Sequence, residues 1–201
     1  MIKPFLMNTV SNDVILDRCK AMKIELEESP YTFQGKKIPR VTSILSDMIA
    51  EEFLLAWANG VGLYQRKSYL YYRKKATDIG LAVHEAIQRY ITNRQMPNFN
   101  QFTSKADSDK AKNSFKAFLD WWAVIEKNDY EIILEEAPMV TPYCGGTLDL
   151  FIRINGKNYL VDFKTSTKLS FKYYIQLAAY RRMIYDSYGM ICDGCMLVRL
   201  D

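Results

Sequence analysis

Cysteine and histidine are scarce in this chain of 201 residues, which has four cysteines, Cys19, Cys144, Cys192 and Cys195, and one histidine, His84. Thiols so few and so scattered exclude a disulfide scaffold and are expected to be reduced. No run of about eighteen apolar residues is present to span a membrane. The opening MIKPFLMNTVSNDV also lacks the long apolar core of a signal peptide, so a cytoplasmic protein with no membrane partner is expected. Internal repeats, low-complexity tracts and Gly/Ser/Pro linkers are missing, and with them any mark of an interior domain boundary. Nor is there a strong excess of one charge. The formal net charge of +4 and the pI near 8.7 permit a polyanionic partner without demanding one.

What is present suits a folded chain. Apolar residues make up 49% and charged residues 25%, ordinary proportions for a globular protein of one domain. Aromatic residues reach 13%, with fourteen tyrosines, and aromatic faces are where unpaired bases stack.

The periodicities divide the chain into a helical first part and a β-rich second part. DVILDRCKAMKIELEE (13–28) reads as a helix, and YTFQGKKIP as a short hairpin turning near Gln34-Gly35. Thr42 or Ser43 is expected to cap a helix that runs through SDMIAEEFLLAWANG to Gly60. A helical stretch over 63–75 precedes ATDIGLAVHEAIQRYITNR, where Ile79, Val83, Ile87 and Ile91 recur every fourth residue in an amphipathic helix that ends before Pro97. SDKAKNSFKAFLDWWAVIEKN is another helix, with Phe115, Phe118, Leu119 and Trp122 inward. EIILEEAPMV, GTLDLFIRI, NYLVDFKTS and CMLVRL then read as strands, with the helix FKYYIQLAAYRRMIYDS between the last two. The fold class is α+β.

In GGTLDLFIRINGKNYLVDFKTS (145–166), Asn155-Gly156 signals a two-residue type I′ hairpin, because both residues accept positive φ. That turn sets Ile154 opposite Lys157 and, counting back along both strands, Asp149 opposite Asp162. Like charges directly opposite destabilise a sheet. Alternation puts Lys164 on the same face as Asp162, and puts Leu148 and Leu150 together on the face opposite Asp149. Two carboxylates and an ammonium converging in this way would be satisfied by a hard divalent cation. A lone D-x-K triplet would be an ordinary ion pair. The second acid at a defined register is what makes the set specific.

GTLD, VDFKTS and the following helix with YYIQLAAY resemble the PD-(D/E)xK nuclease superfamily, and within it the RecB-like branch that includes phage and mitochondrial genome-maintenance exonucleases. IGLAVHEAI is similar to that branch's histidine-bearing helix, and KKIPRVTSIL to the segment opening many phage members. The resemblance spans roughly 31–201 and implies a restriction-endonuclease-like core, a mixed sheet flanked by helices, in one nuclease domain. Residues 1–30 would be an extension, 31–130 the mainly helical part and 131–201 the catalytic sheet and helix. It further implies that His84, Asp149, Asp162 and the Phe163 carbonyl hold Mg²⁺ or Mn²⁺, that Lys164 is the catalytic lysine, and that Gln176 and Tyr180 form the Q-x-x-x-Y pair. Glu135 or Glu136 matches the acid preceding the GxxD strand, with Glu135 preferred.

YQRKSYLYYRKK (64–75) interleaves five basic residues with four tyrosines. Tyr64, Arg66, Lys67, Tyr71, Tyr72, Arg73 and Lys74, with Thr165 and Ser166 beside the lysine, are the expected nucleic-acid contacts. Some RecB-like relatives carry an iron–sulfur cluster, but two cysteines after the catalytic helix fall short of the four thiolates a cluster needs, and none is expected. The implied activity is hydrolysis of DNA single strands or ends by an exonuclease in recombination, repair or replication, in a bacterium or a phage-infected cell. A structure- or site-specific endonuclease on the same core and a non-catalytic nucleic-acid-binding module are the alternatives.

Overall fold

A computed structural model describes residues 29–49 and 68–201. The helix expected over 13–28 and the expected contacts Tyr64, Arg66 and Lys67 lie outside the described residues. The first hairpin pairs β1 (Thr32–Phe33) with β2 (Lys36–Lys37) through Gln34 and Gly35, both at positive φ. Helix α1 (Val41–Met48) starts before the expected caps: Arg40 is its N-cap, with no capping hydrogen bond from its side chain, and Thr42 and Ser43 lie inside the first turn. The start is set by tertiary contact, since Arg40 bridges Gly145 and the Gly145 N–H is donated to the Pro39 carbonyl at 2.9 Å. The helix ends at Met48, where Ile49 already has extended backbone, and the remainder of the helix expected to reach Gly60 lies outside the described residues.

Helix α2 (Tyr69–Asn93) is continuous across 25 residues, merging the two helical stretches expected on either side of residue 75. No proline interrupts it, and the Ser68 hydroxyl caps its start by accepting from the Tyr71 N–H. Ile79, Val83, Ile87 and Ile91 form its buried stripe. In α3 (Lys105–Ile125), Phe115, Phe118 and Trp122 are buried, whereas Leu119 is only partly covered.

Strands β3 (Tyr130–Val140), β4 (Gly145–Ile154), β5 (Lys157–Lys164) and β6 (Gly194–Arg199) form a mixed sheet in that order. The first three are antiparallel, and helix α4 (Phe171–Tyr188) carries the chain back so that β6 lies parallel to β5. Asn155 (φ 49°) and Gly156 (φ 79°) make the expected turn, and Ile154 opposes Lys157. One face of the sheet, with Leu150, Ile152, Val161 and Phe163, packs on α2 and α3. The other, with Leu148, Phe151 and Leu160, packs on α1 and α4. Leu148 and Leu150 therefore serve opposite cores, contrary to simple alternation, where β4 runs beside Glu136 and its left-handed backbone (φ 44°).

Two glycines open β4 to its neighbours. A Cβ on Gly146 would stand 2.6 Å from Cε1 of the buried Tyr180 ring, and one on Gly145 would stand 2.2 Å from Cγ of Tyr31. Replacing Gly146 by alanine should destabilise the protein by about 1–3 kcal/mol through overpacking. Urea denaturation measures this, and an unchanged midpoint would contradict the close approach.

Candidate metal centre

Three acids lie in one row across three strands. The pairs Ala137–Leu148 and Glu135–Leu150 bracket Glu136 and Asp149, and the pair Leu150–Val161 brings Asp162 alongside Asp149 on the other side. Neither Glu136–Asp149 nor Asp149–Asp162 is a rung of the backbone ladder, whereas Asp162 pairs with Leu197 of β6. Glu136 adopts φ 44°, in the left-handed region that a glutamate rarely occupies, and the ladder between β4 and β5 stops at Leu150–Val161. In place of the missing rung, the Phe163 N–H is donated to Asp149 Oδ2 at 2.8 Å. The strands fork here, and the fork is the site.

His84 enters from α2, held at the sheet by the buried Val83 and Ile87 beside it. Its Nε2 donates to the Phe163 carbonyl at 3.1 Å, and its Nδ1 lies 3.5 Å from Asp149 Oδ1. A carbonyl can only accept, so Nε2 carries hydrogen and Nδ1 faces a carboxylate. Either a proton or a cation must bridge Nδ1 and Asp149. His84, Glu136 and Asp149 each present one ligand atom, all within 4.8 Å of one another, the one such group of three among the described residues. Two carboxylates and an imidazole could hold a divalent cation.

The protonation states fit a site that exchanges protons for a cation. Burial opposes the His84 charge, but the hydrogen bond and charge of Asp149 outweigh it and raise the imidazole above its usual value. Burial, followed by the charge of Asp149, pushes Glu136 up to about 7. Burial works the same way on Asp149 but is overcome by His84 and Lys164, so this carboxyl lies below its ordinary value.

Asp162 is held apart from this trio. Lys164 Nζ lies 2.9 Å from its Oδ1 and 2.7 Å from its Oδ2, and Gln176 Nε2 donates to Oδ1 at 3.4 Å. The ammonium approaches Oδ2 off the hydrogen-bond direction, which leaves that buried oxygen with a neighbouring charge and no hydrogen bond. Burial and the charge of Asp149 push Asp162 up to about 6 despite Lys164. Gln176 and Tyr180 lie one turn apart on the buried face of α4; burial raises the Tyr180 phenol, against a hydrogen bond to Gln176.

Of the expected ligands, His84, Asp149 and the Phe163 carbonyl are thus brought together, and Asp162 lies beside them facing Lys164. Glu135 is not brought in. Its carboxylate accepts from the Thr92 hydroxyl at 2.7 Å, and Glu136 occupies the position in the cluster. Sequence leaves the two glutamates open because no turn signal fixes the β3–β4 loop and the left-handed backbone of Glu136 has no local signature.

A cleft of about 410 Å³ opens beside the centre, with His84 and Lys164 in its wall. Of the residues named above as nucleic-acid contacts, Arg73, Thr165 and Ser166 line it, but Tyr71, Tyr72 and Lys74 do not. Tyr71 instead meets Tyr72 edge-on at 5.2 Å between ring centres. Lys110 of α3 and Tyr173 of α4 also line it, and no local motif links them to Lys164. Lys164 Nζ stands 4.9 Å from the Tyr173 ring centre.

No family model matches the chain, and no curated protein matches it. The resemblance to PD-(D/E)xK nucleases rests on the motif residues themselves.

Glu136 and Asp162 bind protons more tightly folded than unfolded. Their contribution to stability is therefore present at low pH and is lost as pH rises through about 6 and about 7. Above about pH 7, Glu136→Gln should raise the Tm of the metal-free protein by about 2–4 °C while abolishing the Tm increase on adding Mn²⁺. Differential scanning fluorimetry across pH, with and without Mn²⁺, reads both effects. An undiminished Mn²⁺ shift in the variant would remove Glu136 from the ligand set.

Proposed function

We propose that this chain is a metal-dependent deoxyribonuclease of the PD-(D/E)xK type, acting as an exonuclease on DNA single strands or ends. The observation that carries the reading is the meeting of His84, Glu136 and Asp149 at a strand fork, with Asp162 and Lys164 beside it on the wall of a cleft. The four-stranded mixed sheet with helices on both faces is compatible with a restriction-endonuclease-like core. Bound at His84, Glu136 and Asp149, a divalent cation would supply Lewis acidity toward a phosphate oxygen and a lowered pKa for water.

The chain's own groups would do the rest. Asp149 stays ionised because His84 faces it, and His84 is oriented by the Phe163 carbonyl. Lys164, tethered to Asp162 and exposed to the cleft, offers its ammonium to a phosphate oxygen or to the attacking water. Gln176 orients Asp162, and Tyr180 fills the space behind it against Gly146. Arg73 and Lys110 give the cleft cations for flanking phosphates, while Thr165 and Ser166 offer hydroxyls.

The test is digestion of 5′- and 3′-labelled linear strands, and of a closed single-stranded circle, with Mg²⁺ or Mn²⁺. Metal-dependent release from an end is expected, with the circle intact and with losses on the order of 10²-fold or more in Asp149→Ala and Lys164→Ala. Undiminished activity in both variants would overturn the site. Cleavage of the circle would favour an endonuclease on the same residues.

A further inference from the structure

Away from the metal centre, the turn joining α4 to β6 carries a second group of reactive side chains. Cys192 and Cys195 flank Asp193-Gly194; the Cys192 thiol donates to the Gly194 carbonyl at 3.0 Å, and the Cys195 thiol lies within hydrogen-bonding reach of the Cys192 sulfur. Cys192 is almost wholly buried, yet it forms part of the wall of a cavity of about 300 Å³ lined also by Arg181, Arg182, Tyr185 and Met190. Cys195, at the start of β6, is exposed. Arg181 fixes the turn by donating its Nε–H to the Cys192 carbonyl at 3.1 Å. The bond from Cys195 outweighs burial and, with the backbone of Leu160 and Gly194 and the charge of Arg181, brings the Cys192 thiol down to about 6. Cys144 is the opposite case, a half-buried thiol whose pKa is raised by burial. Among the described residues, no metal-binding group of three includes Cys192 or Cys195.

A buried sulfur with an exposed sulfur three residues on, in the wall of a cavity where Arg181 presents its guanidinium and Arg182 is ion-paired with Asp186, is equipped for exchange with an anionic disulfide. We propose that Cys192 and Cys195 form a redox-active dithiol that reduces a low-molecular-weight anionic disulfide bound in this cavity at Arg181. The Cys192 thiolate attacks one sulfur of the disulfide, forming a mixed disulfide and expelling the first small thiolate, which takes a proton from solvent. Cys195 then loses its proton and attacks the Cys192 sulfur. The protein disulfide forms and the second small thiolate leaves and is protonated. Two protein thiols are oxidised and one small disulfide is reduced to two thiols.

Oxidised glutathione is the probe, incubated with the full chain near neutral pH. Alkylation of the remaining thiols and peptide mass spectrometry then locate the products. The peptide with Cys192 and Cys195 should lose two hydrogens and escape alkylation at least about tenfold faster than Cys144 gains glutathione, and dithiothreitol should reverse it. In Cys195→Ser the reaction should stop at a glutathione adduct on Cys192. A neutral disulfide, bis(2-hydroxyethyl) disulfide, should react several-fold more slowly than oxidised glutathione with the wild-type pair. Thiols at 192 and 195 that stay alkylatable, or a lasting adduct on Cys195 alone, would overturn the dithiol. Equal rates for the two disulfides would overturn the role of Arg181. None of these readouts depends on nuclease activity.

Discussion

Glu136, Asp149 and Asp162 stand abreast on three neighbouring strands, and the mutual repulsion of this row is the constraint on which the rest of the arrangement depends. Like charges in adjacent strand positions cost stability, the more so where burial strips them of water. The sheet answers locally. Glu136 takes a left-handed backbone, the β4–β5 ladder stops one pair short, and the Asp149 carboxylate accepts the Phe163 N–H.

The remaining charge is answered from opposite sides of the sheet. Helix α2, fastened by its isoleucine stripe, brings His84 to Asp149 and Glu136. Helix α4 supplies Gln176 to Asp162, while Lys164, two residues along β5, supplies the cation. The two aspartates are pushed in opposite directions, Asp149 kept anionic by His84 and Asp162 raised by burial and by its neighbour. Groups so separated can take different tasks in one reaction, a pattern common at active sites. The two cores also serve the site: packing of Phe163 against α3 on one face and of Leu160 against α4 on the other holds β5 between the two helices.

Much of this frame was legible in the residues because it follows from short-range rules. Asn155-Gly156 accepts positive φ at both positions, which sets the hairpin register and brings Asp149 level with Asp162. The four-residue recurrence from Ile79 to Ile91 marks the face of α2 that packs on the sheet. The length of α2 was less legible, because a sequence window reads a change in composition near residue 75 as a boundary that the backbone ignores. Likewise α1 begins where Arg40 and Pro39 dock on Gly145, a long-range contact with no local signature.

The sequence alone determined the α+β class and the β4–β5 register, since turn chemistry and hydrophobic periodicity are properties of neighbours along the chain. Only the tertiary structure decided that Glu136 rather than Glu135 joins His84 and Asp149. The left-handed backbone of Glu136, opposite Asp149, turns that side chain inward. Tertiary structure alone also decided that Gln176 reaches Asp162, and that Lys110, from a separate helix, shares the cleft with Lys164. Those placements depend on how helices seat against the two faces of the sheet, and helix seating is fixed by contacts between residues far apart in sequence.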